Sequence, residues 1–493
     1  MRFTFLLSII CIIGATSLSA QINDYIIEEE TFGLPDNKFN IVSDTINGNF
    51  YILDSLDLWV HNIETATTTN LIKSENTLFA HNFIYYKGFT FFTLACSAGT
   101  LVVKTQNTKA STQVIFKIAD NYGDFIGAEY SIFKDQLIIS KYNSTEIYLL
   151  SNPHTKPQLF IDLKDLGDTI HRRRRLRKFF TVDSTLFFKS FRGDTTLLRS
   201  TNGIASTVKI VEKFNGEPLY NPKWILKYNN TFYFSIDDNK RRTLVYDTIL
   251  NKVKIFNNFE LSEVGPAYKN GLIFGWRNPK EQLRNELWLF DGTKSGTHFI
   301  KDINRIMRSS PSKFQLFKDK FVFHAGINER WESDGTTNGT KKVGILDFET
   351  NVYQLRDRRF ELSKIDDDKI VLSEYLGDGV LNEIKTIEGS LGYQTYSANI
   401  NDEFFLFYVR NKDGSEDNWY SDGTATNTNR LVDSLNYGKI SKILKLKDRA
   451  IMTIRHSKTY KNYNYRVRKS DAIIKEVTLI DDALETNSIP CSK

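Results

Sequence analysis

Ten times along this chain a short polar turn leads into an apolar, aromatic-rich run. The copies are NGNFYILD from Asn47, YKGFTFFT from Tyr86, FKDQLIIS from Phe133, VDSTLFFK from Val182 and YNNTFYFS from Tyr228. Then come YKNGLIFG from Tyr268, FKDKFVFH from Phe317, DDDKIVLS from Asp366, INDEFFLF from Ile400 and LKDRAIMT from Leu446. From Asn47 to Leu446 the mean step is 399/9, about 44 residues. A unit of that length, built from four short strands, cannot cover both faces of its own sheet and must stack on a neighbour. Closing the stack into a ring removes the two bare ends, so the period predicts an all-β chain folded as a β-propeller of about eight to ten four-stranded blades. Apolar residues on both faces of FQLFKDKFVFHA (Phe314 to Ala325) agree with a sheet sandwiched between two others. Abundant Phe and Tyr (36 and 23) beside scarce Met (3) favour pleated surfaces over helices. Only Leu163 to Lys178 has the makings of a short helical turn.

A second phrase marks the later units. ELWLFDGTKSGTHFIKDI (Glu286 to Ile303) returns as ERWESDGTTNGTKKV (Glu329 to Val343) and DNWYSDGTATNTNRLV (Asp417 to Val432). Weaker copies are NEIKTIEGS (Asn382 to Ser390) and LDLWVHNIETATTTNLI (Leu56 to Ile72). Asp-Gly is a strong hairpin signal because Gly accepts the positive φ of a tight turn. Trp288, Asp291, Gly292, Trp331, Asp334, Gly335, Trp419, Asp422 and Gly423 are therefore expected to be structural tags. Tags placed at Gly335, Gly389 and Gly423 stand 54 and 34 residues apart. That spacing predicts an extra hairpin at GILDFETNVYQL (Gly344 to Leu355) and a strand missing from another unit. A single ring over residues 21–493 is the preferred arrangement; two smaller rings are the alternative, although no Pro-, Gly- or Ser-rich linker divides them.

The N-terminus, MRFTFLLSIICIIGATSLSAQ, has one basic residue, an apolar run from Phe3 to about Gly14 and small residues at Ser17, Ser19 and Ala20. This is the layout of a secretory signal peptide over residues 1–20, with cleavage after Ser19 or Ala20. Export to the periplasm, cell surface or medium is the expectation. No later run approaches the ~18 apolar residues of a membrane helix. Cys11 lies inside the apolar run behind Ile10, which is not the small residue a lipidation site wants. In an oxidising compartment the remaining Cys96 and Cys491 form a candidate disulfide; the alternative is one buried thiol and one loose thiol.

ELWLFDGTKSGTHFIKDI resembles the ELWxTDGTxxGTxxVKDI repeats of secreted Gram-negative bacterial propeller proteins. The strong tags cover the C-terminal half, and the earlier units match only the generic blade pattern. TFGLPDNKFNIVSDTINGNFYILDSLDLWV (Thr31 to Val60) is similar to a blade of the two-component-regulator type, GLPxNxVxxIxxDxxGxLWIGT. The resemblance implies a fold and an exported setting, and supplies no substrate.

Nucleophile elbows, phosphate-binding loops, HExxH helices and CxxC pairs do not occur in the sequence. The histidines (His61, His81, His154, His171, His298, His324, His456) stand far apart, without ligand spacing, so no metal and no cofactor are expected. Asp413, Ser415 and Asp417 mimic the start of a calcium loop, but Asn418 replaces its glycine and no Glu closes it. Asp366, Asp367 and Asp368 read as a solvated turn. Short triplets at Asp44, Asp54, Asp168, Asp247 and Asp433, each Asp-[Ser/Thr]-aliphatic, resemble bacterial O-glycosylation acceptors; as structure they are turn residues entering strands. The densest charge is HRRRRLRKFF (His171 to Phe180), where Arg172, Arg173, Arg174, Arg175, Arg177 and Lys178 could grip phosphate, sulfate or carboxylate. A solvated connector is the plainer reading, since the chain's net charge is only +6.

These readings favour a non-catalytic binding or scaffold module whose partner is a protein or an acidic glycan, with nucleic acid excluded outside the cell. The alternative is a carbohydrate-active hydrolase or lyase, with acids gathered at the ring axis.

Overall fold

The computed structural model describes residues 19–22, 25–29, 34, 40–54, 56–74, 78–119, 127–141, 144–170, 179–213, 216, 219–220, 222–228, 231–236, 243–247, 252–257, 260–269, 271–277, 285–293, 295–303, 311–326, 328–345, 350–391, 398–400, 404–430, 438–446, 449–456, 462–469 and 478–480. Ten antiparallel sheets follow one another along the chain and close into one ten-bladed propeller. Blades 1 to 5 span 40–72, 79–119, 128–162, 179–210 and 222–257, and blades 6 to 10 span 260–301, 312–345, 351–388, 390–430 and 438–469. In most, the first strand is innermost and the fourth outermost, each pairing with the next. The short helical turn falls at Leu163–Leu166, opened by the Asp162 carboxylate accepting the Lys164 N–H and ended by Gly167 at φ 79°.

Neighbouring blades share apolar seams. Phe321 and Phe323 of blade 7 face Ile273 and Leu287 of blade 6, while Val322, one residue out of phase, packs toward Tyr375 of blade 8. Period-two alternation thus serves two interfaces at once, which is why these strands are apolar on both sides. Leu444 and Ile451 of blade 10 pack on Ile41, Phe50 and Ile52 of blade 1, closing the ring. Lys442 crosses the same seam, donating to the Ser43 carbonyl at 2.8 Å and standing 3.4 Å from an Asp44 carboxylate oxygen. Both ends of the chain complete the circle. Tyr25–Glu29 adds antiparallel to Asn462–Lys469 as the fourth strand of blade 10, and Thr478–Ile480 adds parallel to Thr67–Ile72 on the outer edge of blade 1.

Antiparallel order sorts the connections onto two faces. Turns between first and second strands, and between third and fourth, lie on one face, which carries the tags. Turns between second and third strands lie on the other, with the crossovers from blade to blade.

The tags hold the first of these faces together. In blade 7 the Asp334 carboxylate accepts from the Thr336 N–H and hydroxyl at 2.8 and 2.7 Å, and the Thr336 hydroxyl accepts from the Gly339 N–H at 2.9 Å. Ser333 and Thr340 hydroxyls bridge the base of the turn at 2.7 Å. Asp422 in blade 9 builds the same turn, with Ser421 and Thr428 at its base. The carbonyls that these turns leave over are taken by the preceding blade. Lys269 of blade 6 donates to the Asp334 carbonyl at 2.9 Å, and Lys301 donates to that of Thr340 at 2.5 Å. Lys269 comes from the recurring aromatic-Lys turn, as do Lys87, Lys134 and Lys318. Each has positive φ, lies over its own aromatic ring at 5.1–5.4 Å and donates to a turn carbonyl of the next blade.

The tag glycine is required on the same account. A Cβ on Gly335 would stand 3.2 Å from the Tyr268 ring, and one on Gly423 only 2.4 Å from Phe360, both at positive φ. Gly423→Ala is expected to cost about 2–4 kcal/mol, combining left-handed strain with overpacking. Gly414→Ala, at φ 80° with nothing within 4 Å of the added atom, should cost only about 1 kcal/mol. Urea midpoints of the two variants measure the difference; equal shifts would remove close approach as the reason.

Two sequence expectations need correction. NEIKTIEGS is no tag: Asn382 to Glu388 belong to the outer strand of blade 8, and its third-to-fourth turn is Gly377-Asp378-Gly379. The turns at Gly335, Gly377 and Gly423 are then 42 and 46 residues apart (377−335, 423−377). DDDKIVLS likewise begins at the second-to-third turn of blade 8; its first turn is Arg356-Asp357, where the usual aromatic-Lys pair is absent. No strand is lost, and Asn351–Leu355 is simply the innermost strand of blade 8 rather than part of an extra hairpin.

Candidate functional site

Tag turns join one blade to the next, and the second-to-third turns stand on the opposite, crossover face. There a cleft of about 310 Å³ lies between blades 8 and 9. Its walls are the second-to-third turns of the two blades, bringing Asp367 and Asp368 opposite Arg410, Asn411 and Lys412, with the crossover at Gly389 and Ser390 as floor. The Gly389 N–H donates to the Asp368 carbonyl at 2.7 Å, and the Asp366 carboxylate accepts the Asp368 N–H at 2.9 Å, fixing the acidic wall. Lys412 pairs with Asp368 at 2.8 Å and Lys364 with Asp367 at 2.6 Å. Arg410 ends the second strand of blade 9, is exposed, and has no ion pair among the described residues, although Glu416 is its cross-strand neighbour.

The cleft's chemistry suits binding more than proton transfer. The hydrogen bond from Lys364, reinforced by its charge, holds the Asp367 carboxyl below the usual range, the reverse of what a general acid requires. Asp413 spends its carboxylate on the Ser415 N–H and hydroxyl at 2.9 and 2.6 Å, and Asp417 faces Arg430 at 3.1 Å and Asn411 at 3.0 Å. The calcium-like spacing therefore serves a turn. Among the described residues no three metal-ligating side chains gather.

A second polar constellation is buried between blades 7 and 8. Arg330 donates from Nε to Glu361 Oε1 at 3.0 Å and again from its terminal nitrogen to Oε2; Arg359 donates to Glu361 Oε1 twice at 3.3 Å and to Gln315. Arg330, Glu361 and Arg359 are 3, 0 and 1% exposed. Glu332 accepts from the Tyr375 hydroxyl at 2.5 Å and the Asp378 N–H at 2.8 Å, and both guanidinium groups lie over the Tyr375 ring at 5.1 and 5.8 Å. His324, cross-strand from Arg330, has no partner for Nε2 among the described residues. Burial, then the positive charges of Arg359, Lys313 and Arg330, push it down to about 3. The folded protein thus keeps this ring neutral while the unfolded chain protonates it below its ordinary value of about 6.5. Stability contributed by the neutral form is complete above that value and is lost as pH falls toward 3. The urea midpoint should therefore fall less steeply over that window in His324→Asn than in the parent; identical slopes would refute it.

The other expected site residues fall as follows. Trp331 is buried in the seam between blades 6 and 7 and donates to Glu329 at 3.0 Å; Trp288 donates to Glu286 at 3.2 Å. Trp419 packs on Phe407, and among the described residues its indole N–H has no partner; Asp417, two residues before it, faces Arg430 and Asn411. His61, His81, His154, His298 and His324 belong to blades 1, 2, 3, 6 and 7, so the fold does not collect them. His171, Arg172, Arg173, Arg174, Arg175, Arg177 and Lys178 lie outside the described residues. They fall in the crossover between Gln158–Asp162 and Phe179–Val182. Just before that run Asp168 is buried against Arg199, with hydrogen bonds of 2.8 and 2.6 Å, which roots the connector. Cys96 is disulfide-bonded; Cys491 lies outside the described residues.

One turn escaped the sequence reading. Thr105 and Thr112 in blade 2 bridge at 2.8 Å, seven residues apart as in Ser333 and Thr340, and Asn107 takes the glycine's place at φ 68°. Spaced hydroxyl residues were the signal, hidden because Gln106-Asn107 replaces Asp-Gly.

No family model matches the chain, and neither does any curated protein. Among solved structures it is similar to the computationally designed Ika8 protein, with 11% identity over 68% of this chain and 94% of that one, at a TM-score of 0.33. It is also similar to the extracellular domain of BT4673 from B. thetaiotaomicron (9% identity, 93% of this chain and 70% of that one, TM-score 0.30). A third is BamB from Moraxella catarrhalis (9% identity, 66% and 92%, TM-score 0.31).

Proposed function

We propose that this chain is an exported, non-catalytic propeller that holds a protein or acidic glycan on its crossover face. The observation that carries the reading is the division of labour between the faces: tag turns make blade-to-blade hydrogen bonds, whereas the crossover face offers a polar cleft in which Arg410 has no ion pair among the described residues. Among the described residues no helix is long and apolar enough to cross a membrane. Removal of residues 1–20 as a signal peptide would take Ser19 and Ala20 from the outermost added strand and leave Tyr25–Glu29, the strand that closes blade 10. The Arg172 to Lys178 run, which precedes Phe179–Val182 in sequence, is proposed as a second anion-attracting element.

Masking tests the reading. A polyethylene glycol chain attached at Gly414→Cys on the crossover face should abolish capture of the partner, and the same chain at Thr337→Cys on the tag face should not. The reverse pattern would overturn the assignment. Replacing Arg172 to Arg175 by Ser should lower retention on an anionic polymer column at ~0.15 M salt; unchanged retention would remove the run from the binding surface.

A further inference from the structure

We infer that the cleft between blades 8 and 9 takes the carboxylate of an acidic sugar, with Arg410 as its anion clamp. The inference rests on the crossover-face reading and adds the ligand class. The cleft's volume, about 310 Å³, is at the small end of ligand sites and fits a sugar unit or two better than a folded protein. Among the described residues its lining is polar side chains and glycine, without an aromatic or aliphatic member, so an apolar peptide or acyl chain would gain little by entering.

Charge narrows the choice. Lys412 and Lys364 are already paired with Asp368 and Asp367, leaving Arg410 as the lining cation with no carboxylate partner among the described residues. Its planar fork of donors suits a two-pronged grip on a carboxylate. Asp367 and Asp368 each spend one oxygen on a lysine and keep acceptor capacity for ligand hydroxyls. A group combining one carboxylate with adjacent hydroxyls matches both walls. A phosphate would bring two negative charges on a single group against the same two aspartates, where a uronate unit brings one, and a neutral sugar would leave the guanidinium unused.

Titration calorimetry of the full chain with digalacturonate, and separately with cellobiose, tests this. Digalacturonate should bind and cellobiose should bind at least about 10-fold more weakly, a tenfold ratio being the usual weight of one good charged contact. Arg410→Gln should remove that preference while leaving the unfolding midpoint unchanged, since the side chain is exposed. Equal affinity for the two sugars, an unaffected Arg410→Gln variant, or no heat with digalacturonate at about 20 mM, far above any useful Kd, would each overturn the inference. If the calorimetry fails while masking at position 414 still blocks partner capture, the sugar assignment falls and the face reading stands; if both fail, both fall.

Discussion

Replacing Glu361 by Leu is expected to destabilise the protein by about 3–5 kcal/mol, the cost of stranding buried charge. Among the described residues Glu361 is the carboxylate hydrogen-bonded to both Arg330 and Arg359, and both arginines are almost fully buried. Burial already opposes the charge on Arg359 and pushes its pKa down. The Tyr375 ring face offsets part of the excess, but Glu332 is committed to Tyr375 and Asp378. The companion experiment is the apolar triple replacement Arg330→Met, Glu361→Leu and Arg359→Met. Removing all three charges together should be neutral or stabilising, because no ion is left to desolvate. Urea unfolding followed by tryptophan fluorescence separates the outcomes. A single variant within about 1 kcal/mol of the parent, the level of an exposed pair, would mean that the seam is wetter than its burial indicates.

Cys96→Ser should lower stability by as much as about 5 kcal/mol, the nominal entropic ceiling for a loop of several hundred residues. Its proposed partner is Cys491. Thr478–Ile480 runs parallel to Thr67–Ile72, from the tag face toward the crossover face. Cys96 ends its strand on the crossover face, in the apolar seam of blades 1 and 2. The eleven residues from Ile480 to Cys491 (491−480) span at most roughly 36 Å when extended, enough to reach the neighbouring blade. Such a bond would pin the added strand to the ring. Peptide mapping of non-reduced exported protein should recover Cys96 joined to Cys491. Recovery of Cys491 as a free thiol would refute the pairing, and a Cys96→Ser midpoint equal to the parent's would refute the clasp.

The blade repeat was legible because each turn has to solve a local problem: a positive φ, a donor for a carbonyl, a ring for a lysine to lie on. Wherever Lys87, Lys134, Lys269 or Lys318 solves it, the solution is written in adjacent letters. Blade 8 solves it differently. Arg358 pairs with Glu374 and reaches the Asp422 and Gly423 carbonyls, so the same job is done by residues that resemble no neighbouring copy. The acidic letters of Asp366 to Asp368 then offered a false match. Burial of charge was illegible for another reason. In RRFELS and ERWES the ions alternate with apolar residues as they would on a half-exposed strand, and only the register between two blades shows that both faces are covered. The cleft was illegible too, since its walls come from turns more than forty residues apart (411−368).

The seam where the two ends of the chain overlap governs the order of assembly. Tyr25–Glu29 has no place to go until Asn462–Lys469 exists, so a strand made among the first waits for one made among the last. Contacts of such sequence separation form slowly, and an arc with two bare sheets is exposed meanwhile to proteases and to other chains. A chain built this way holds an open arc of finished blades and becomes a ring only when its early and late strands meet.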